Sequence, residues 1–247
     1  MSGVRLAQAA LPRDITLREW LLDGASWTGE GGILPSLVDT LTLFGAVMLV
    51  ATLLAVPTAA VLAHLGRARL IGAWLVNVGR AVPTFALAAL LVPISLRAGY
   101  GFEPWPIFTA LTLMALPPMY LGTYTAVSGV DRAAVDAARA VGLRGRAVLW
   151  QVELPLALSI ILTGVRVSAV QVIATEPIRA FLGGDGLGRY VRDGLGQRNT
   201  TLIVGGAALV AVLAGLVALA LAALQRLLVP RGVRRLQAVG ASRDVPA

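Results

Sequence analysis

Few side chains in this chain of 247 residues could carry chemistry. The sequence contains a single histidine, His64, and neither cysteine nor lysine. One imidazole without thiolates cannot build a structural zinc site of the usual kind, so we expect no metal and interpret His64 as an interfacial residue. A P-loop needs a lysine for the terminal phosphates, and Schiff-base catalysis needs a lysine amine. These absences exclude a Walker-type ATPase and lysine-based covalent catalysis.

The elements that must position the remaining residues are long and apolar. The chain is 57% hydrophobic and 14% charged, whereas a soluble domain carries about 25% charged residues. Since a bilayer core is crossed by ~20 apolar residues, the sequence predicts five spans, at about 37–63, 70–96, 107–127, 157–178 and 202–229. Prolines inside several spans favour a bundle in which neighbouring helices satisfy the freed carbonyl groups. We therefore predict an all-helical membrane protein in contact with the lipid bilayer.

The basic residues are all arginines, and their distribution indicates how the spans are oriented. The net charge is +8, and arginines are most frequent in the loops after the first and third spans and in the C-terminal tail. The positive-inside rule places these segments in the cytoplasm. We attribute the charge to the flanks of the spans and expect no nucleic-acid partner. The predicted organisation is an N-terminal tail (1–35) that can form an interfacial helix, a transmembrane domain (36–229) and a cytoplasmic C-terminal tail (230–247).

A polar hairpin, residues 128–156, separates the third and fourth predicted spans. Asp131 is predicted to cap a helix that Gly142 ends in the left-handed conformation. A second short helix, from Arg144 to about residue 154, then leads to Pro155 at the entry to the fourth span. Small residues are predicted along one side of the first helix, namely Ala133, Ala134, Ala137, Ala138 and Val141. Because a partner can approach such a side closely, we interpret the hairpin as a docking surface.

The hairpin resembles the cytoplasmic signature of ABC importer permeases, written as Glu-Ala-Ala, three residues, Gly, nine residues and Ile-x-Leu-Pro. At the same spacing this chain carries Asp136-Ala137-Ala138, Gly142 and Val152-Glu153-Leu154-Pro155. Asp replaces Glu and Val replaces Ile, which conserves charge or shape. In that family two short helices form a coupling element that fits a cleft on a separate ATP-hydrolysing subunit. The resemblance implies that the coupling residues are Asp136, Ala137, Ala138, Gly142, Val152, Leu154 and Pro155.

The resemblance extends over about residues 36–229. Segments 77–90, 120–124 and 164–195 are similar to permeases that import glycine betaine, choline, carnitine and related osmoprotectants. The resemblance implies the type I ABC importer permease fold, with about five transmembrane helices and a cytoplasmic coupling-helix hairpin. It also implies that the chain is not an enzyme and binds no cofactor, because a separate ATPase subunit uses the ATP.

The implied assembly contains further components in a bacterial plasma (inner) membrane. Two ABC ATPase subunits would dock on the hairpins, and an extracytoplasmic solute-binding protein would deliver the cargo. A second permease, either a copy of this chain or a paralogue, would complete the pore. The glycine-rich part of segment 164–195 also occurs in importers of methionine and phosphonate, so an amino acid or an oxyanion is an alternative cargo. A stand-alone secondary transporter is less favoured, because the sequence shows no internal repeat and no charge relay.

The last group of candidates could line a translocation path. Glu176, near the outer end of the fourth span, could form a local ion pair with Arg179 or attract a cationic substrate. The aromatic faces of Phe85, Tyr120 and Tyr124 could bind a quaternary ammonium ion, although helix packing is their commoner role. Four glycines at 183, 184, 186 and 188 predict a tight external turn. They do not predict a nucleotide-binding loop, because their spacing is not Gly-x-Gly-x-x-Gly and no strand precedes them.

Overall fold

A computed structural model of the chain describes residues 16–29, 31–67, 83–100, 105–229 and 232. All regular structure in this part of the chain is helical, as predicted. The α-helices are α1 (Leu17–Leu22), α2 (Gly24–Trp27), α3 (Ile33–His64), α4 (Thr84–Arg97), α5 (Trp105–Ser128), α6 (Arg132–Ala140), α7 (Gly145–Val148), α8 (Leu154–Ala174), α9 (Glu176–Phe181), α10 (Arg189–Gln197) and α11 (Thr200–Leu228). A turn of π-helix, Leu149–Glu153, joins α7 to α8.

Four apolar segments of the described chain are long enough to cross a membrane. They are Ile33–His64, Trp105–Ser128, Gly145–Phe181 and Thr200–Leu228. These segments match the first, third, fourth and fifth predicted spans. The fourth begins at residue 145 rather than 157, because the second helix of the hairpin runs into it without a break. Within the predicted second span, α4 covers Thr84–Arg97 and residues 70–82 lie outside the described residues, as does the tail beyond 229 apart from residue 232.

One compact unit contains the described residues of 1–49, 82–114 and 169–216. Its N-terminal segment forms two short helices, because Asp23 ends α1 and caps α2 through a side-chain bond to the Ala25 N–H. Thr16 and Glu19 form a capping box at the start of α1. The hydrogen bond from the Thr16 N–H holds the pKa of the Glu19 carboxyl below its usual range.

Trp20 anchors the N-terminal helices within this first unit. Its indole is buried and contacts the Tyr190 ring edge-on, with centroids 5.2 Å apart. Burial also raises the pKa of the Tyr190 phenol, whose O–H donates to the Gly31 carbonyl. A methyl group at Gly205 would overlap the indole. α1 is therefore fixed to α11 through an aromatic side chain that only a glycine leaves room for.

A second compact unit contains the described residues of 50–81, 115–168 and 217–247. Within it α5 and α8 approach backbone to backbone. A Cβ atom on Gly122 would lie 3.1 Å from the Gly164 Cα, and a Cβ atom on Gly164 would lie 3.0 Å from the Pro118 carbonyl oxygen. Small residues let the backbones of membrane helices approach this closely. The close packing matters because lipid tails are as apolar as the helices, so no hydrophobic force drives the helices together.

We expect Gly164→Val to separate α5 from α8 and to lower the thermal midpoint of the detergent-purified protein by about 5 °C. The branched side chain cannot fit where even a methyl group is in tight contact. Gly215→Val is the matched control, because a Cβ atom at this position of α11 would meet no described atom within 4 Å. Equal midpoints for the two variants would contradict the close approach of α5 and α8.

Candidate functional site

The first helix of the hairpin begins and ends as the sequence predicts. The Asp131 carboxylate accepts a hydrogen bond from the Ala133 N–H at 3.0 Å and caps α6. Gly142 follows α6 with a φ of +88°. Its N–H donates to the Arg139 carbonyl at 2.9 Å, and the next N–H, of Leu143, donates to the Ala138 carbonyl at 3.2 Å. This pair of bonds is a Schellman motif, in which the left-handed residue favours glycine.

The interior of the hairpin is a small apolar cluster. Val135, Ala138 and Val148 are buried in it, and Val130, Leu143 and Val152 pack against them. Ala133, Ala137 and Val141 are exposed, as expected for the docking side of α6, whereas Ala134 is half-buried. The prediction that Ala138 shares this exposed side is wrong. It lies one turn beyond Val135, the side chain large enough to pack on Val148, and so faces the interior.

The second half of the hairpin differs from the predicted helix between Arg144 and residue 154. The α-helical part is only α7, and the π-turn follows it. The Leu154 N–H therefore donates to the Leu149 carbonyl, five residues back. Pro155 accounts for this wider turn, because a proline ring clashes with the carbonyl four residues earlier and brings no N–H of its own. Val152, Leu154 and Pro155 are half-buried here.

The structure pairs two residues that the sequence did not bring together. His64 ends α3, and its Nδ1 lies 2.6 Å from Oε2 of Glu153, the last residue of the π-turn. The side chains are only 13% and 7% exposed, which corrects the interpretation of His64 as a merely interfacial residue. One signal was available in the sequence. A carboxylate inside the apolar Val-Glu-Leu-Pro segment needs a partner when it is buried.

A buried cluster surrounds Glu176 in the first unit. The Glu176 carboxylate, 5% exposed, accepts hydrogen bonds from the Arg179 guanidinium at 2.9 Å and from the Thr40 hydroxyl at 2.8 Å. Arg179 also reaches Asp39, with 2.7 Å between Nη2 and Oδ2. The Thr40 oxygen in turn accepts the N–H of Leu187 at 3.0 Å. The structure thus forms the predicted Glu176–Arg179 ion pair and adds Asp39 and Thr40, which sequence reasoning missed.

The glycine-rich segment after α9 packs directly against this cluster. Gly183 and Gly186 have φ values of +91° and +95°. A Cβ atom on Gly186 would overlap the Glu176 carboxylate and lie 2.7 Å from the Thr40 hydroxyl oxygen. The segment forms a tight turn, as predicted, and the structure adds that it packs on buried polar groups. Glycine at 186 is required by both conformation and space.

The aromatic candidates lie in two different environments. Tyr120 and Tyr124 are buried in α5. Their rings are stacked, with centroids 6.1 Å apart and an interplanar angle of 11°. The Tyr124 O–H donates to the Arg67 carbonyl at 3.1 Å. Phe85, in α4, is 47% exposed. Among the described residues no group of histidine, aspartate and glutamate side chains is arranged to hold a metal ion.

Comparison with known families gives a direct match to the hairpin-bearing part of the chain. Residues 51–234 match the family described as binding-protein-dependent transport system inner membrane component. The chain belongs to this family. The chain is also similar to the choline transport system permease protein OpuBB of Bacillus subtilis. The two proteins are 31% identical over 212 residues, which are 85% of this chain and 94% of that protein.

A second permease relative agrees with this assignment, and a solved structure shares the fold. The carnitine transport permease protein OpuCB of Listeria monocytogenes is 33% identical over 180 residues, covering 73% of this chain and 80% of that protein. An inward-facing structure of the MetNI methionine ABC transporter matches 80% of this chain and 96% of its own, with a TM-score of 0.70 at 20% identity. The predicted fold class, an ABC importer permease built from transmembrane helices, is confirmed. The chain is accordingly a non-catalytic transport subunit.

Proposed function

We propose that this chain is the permease subunit of an ATP-driven importer whose cargo is a quaternary ammonium osmoprotectant such as choline, glycine betaine or carnitine. The names of relatives that align over most of this chain support the cargo. The observation that carries the importer mechanism is the hairpin. The first part of its signature lies on a capped helix and a Schellman turn, from which Asp136, Ala137 and Gly142 face outward, and the last part lies on the π-turn and the start of α8.

The hairpin is the coupling element of this importer. The arginine distribution supports a cytoplasmic hairpin and C-terminus, where ATPase subunits reach them. Asp136, whose side chain is 72% exposed, Ala137 and Gly142 form the contact surface. Ala138, Val152, Leu154 and Pro155 hold its shape, because they are buried or half-buried behind it. Closure of the two ATPase subunits on ATP moves the hairpins and rocks the helix bundles between inward-open and outward-open states.

The cargo is recognised mainly outside this chain, by a solute-binding protein in the extracytoplasmic space. Buried packing of the Tyr120 and Tyr124 rings supports a structural role for them, and the Glu176 carboxylate is already paired with Arg179. Phe85 remains the candidate for the translocation path, because its side chain is exposed. A second permease, a copy of this chain or a paralogue, supplies the other half of the pore.

Reconstitution tests the proposed function. We expect vesicles containing the permease, its ATPase and its binding protein to take up radiolabelled choline, glycine betaine or carnitine only with internal ATP. An ATPase subunit without its P-loop lysine is the matched control and should abolish uptake. Uptake of methionine or phosphonate instead would establish the alternative cargo. Uptake by this chain alone, without ATPase, would contradict the importer mechanism and favour a secondary transporter.

A further inference from the structure

If the hairpin has the coupling function proposed above, its displacement has to reach the first membrane span. The hairpin is continuous in sequence with α5 and α8, so these helices follow it through the backbone. α3 is distant in sequence, since His64 and Glu153 are 89 positions apart. A noncovalent contact must therefore connect the end of α3 to the hairpin.

We infer that the His64–Glu153 hydrogen bond is this connection, a positioning link that makes the first span move with the coupling hairpin. A carboxylate anion can only accept a hydrogen bond, so the His64 tautomer that bonds to it carries its proton on Nδ1. The 2.6 Å distance and the low exposure of both side chains make this a strong, charge-assisted bond. Such a buried bond contributes more to stability than an exposed ion pair does, because little water competes for the two partners.

The bond lies beside a point where the chain can bend. Glu153 ends the π-turn between α7 and α8, and π-turns inside α-helices are frequent at functional sites. If the chain bent freely at this π-turn, the hairpin would move without moving the membrane helices. The buried bond from Glu153 in the π-turn to His64 makes α3 move together with the hairpin.

The local structure holds the imidazole at the base of the hairpin. Its other ring nitrogen, Nε2, lies 3.5 Å from the position of a Cβ atom on Gly145, so the ring fits between the first residue of α7 and the π-turn. Gly66, with a φ of +63°, ends α3 in a Schellman motif just beyond His64. The Tyr124 O–H holds the next carbonyl, of Arg67. Gly145 and the π-turn therefore flank the imidazole, and the Schellman motif and Tyr124 fix the helix end that carries it.

The first experiment is independent of transport. In the isolated permease, we expect His64→Ala to raise hydrogen exchange of the backbone at 145–156 about tenfold. His64→Asn should restore protection, because its amide nitrogen takes the place of Nδ1. His64→Gln, whose amide nitrogen matches Nε2 instead, should restore less. Unchanged exchange in His64→Ala, or equal behaviour of the two amide variants, would overturn the link.

The second experiment separates a positioning role from a stabilising one. In the reconstituted importer, His64→Ala and Glu153→Ala should each lower the maximal uptake rate about tenfold. The KM for the solute and co-purification of the ATPase should stay unchanged, and His64→Asn should recover most of the rate. The double variant should be no worse than either single one, since both remove the same bond.

Gln225→Ala is the matched control in the same unit. The Gln225 amide donates to the Ser159 carbonyl at 2.8 Å and joins α11 to α8 away from the hairpin. We expect this variant to lose some thermal stability and to keep its uptake rate. Equal loss of rate in Gln225→Ala and His64→Ala would overturn the inference. A wild-type assembly without ATP-dependent uptake would instead contradict the proposed function and leave the exchange experiment to decide the link.

Discussion

Gly142→Asp is expected to lower uptake about a hundredfold or more while the permease still folds in the membrane. A Cβ atom at Gly142 meets no described atom of this chain within 4 Å, so the new side chain points outward and leaves the packing of the hairpin intact. An aspartate tolerates the left-handed conformation better than most residues, at a cost of about 1 kcal/mol. The defect must therefore arise at the surface of the partner, which now meets an added charge.

Gly99→Asp controls for the strain of a left-handed aspartate. Gly99 has a φ of +81°, close to the value at Gly142, and a Cβ atom there would likewise contact none of the described atoms within 4 Å. Its turn follows α4 and is not part of the hairpin. The two variants should have similar thermal midpoints, and Gly99→Asp should keep its uptake. Gly142→Asn adds the same shape without charge and separates size from electrostatic repulsion.

These measurements decide the coupling assignment. Co-purification of the ATPase should fall with uptake in Gly142→Asp and stay normal in Gly99→Asp. Normal uptake by Gly142→Asp would remove Gly142 from the coupling surface. Equal losses in both aspartate variants would show that backbone strain, rather than docking, is responsible.

The sequence predicted the elements whose cause is local. Asp131 caps α6 and Gly142 ends it, because capping depends on the residue types beside a helix end. The apolar spans follow from composition and length alone. The π-turn was missed, although Pro155 disfavours a regular α-helical turn before it. The sequence alone does not determine whether the chain widens a turn or breaks the helix there.

The side-chain pairs across long sequence distances were only partly predictable. Glu176 and Arg179 are three residues apart on one short helix, so their ion pair follows from helix geometry. The contribution of Asp39 comes from α3, and nothing local to either segment indicates it. The same holds for Glu153 and His64, whose pairing depends on where the end of α3 lies in the folded unit. Asp39 and Glu153 can be read from the sequence, but their partners, Arg179 and His64, lie on distant segments that the sequence does not connect to them.

Arg179→Met is expected to lower the thermal midpoint of the purified permease by about 10 °C. The guanidinium is shared between Glu176, which is buried, and Asp39, which is partly exposed. Methionine fills much of the same volume and removes the charge. The Glu176 carboxylate would then keep the Thr40 hydroxyl as a partner but lose its countercharge, and burial of such a carboxylate costs several kcal/mol.

Glu176→Gln is expected to be far milder and to shift the midpoint by less than about 3 °C. The amide oxygen still accepts from Thr40 and Arg179, while Arg179 keeps its bond to Asp39. The double variant Glu176→Gln/Arg179→Met has no buried carboxylate without a countercharge at position 176, so it should recover part of the stability lost in Arg179→Met. If Arg179→Met unfolds no earlier than Glu176→Gln, the guanidinium is not what holds the cluster together.

A raised KM for cationic solutes in Glu176→Gln, at unchanged stability, would show that this carboxylate attracts the cargo, whereas unchanged kinetics would establish it as an internal ion pair.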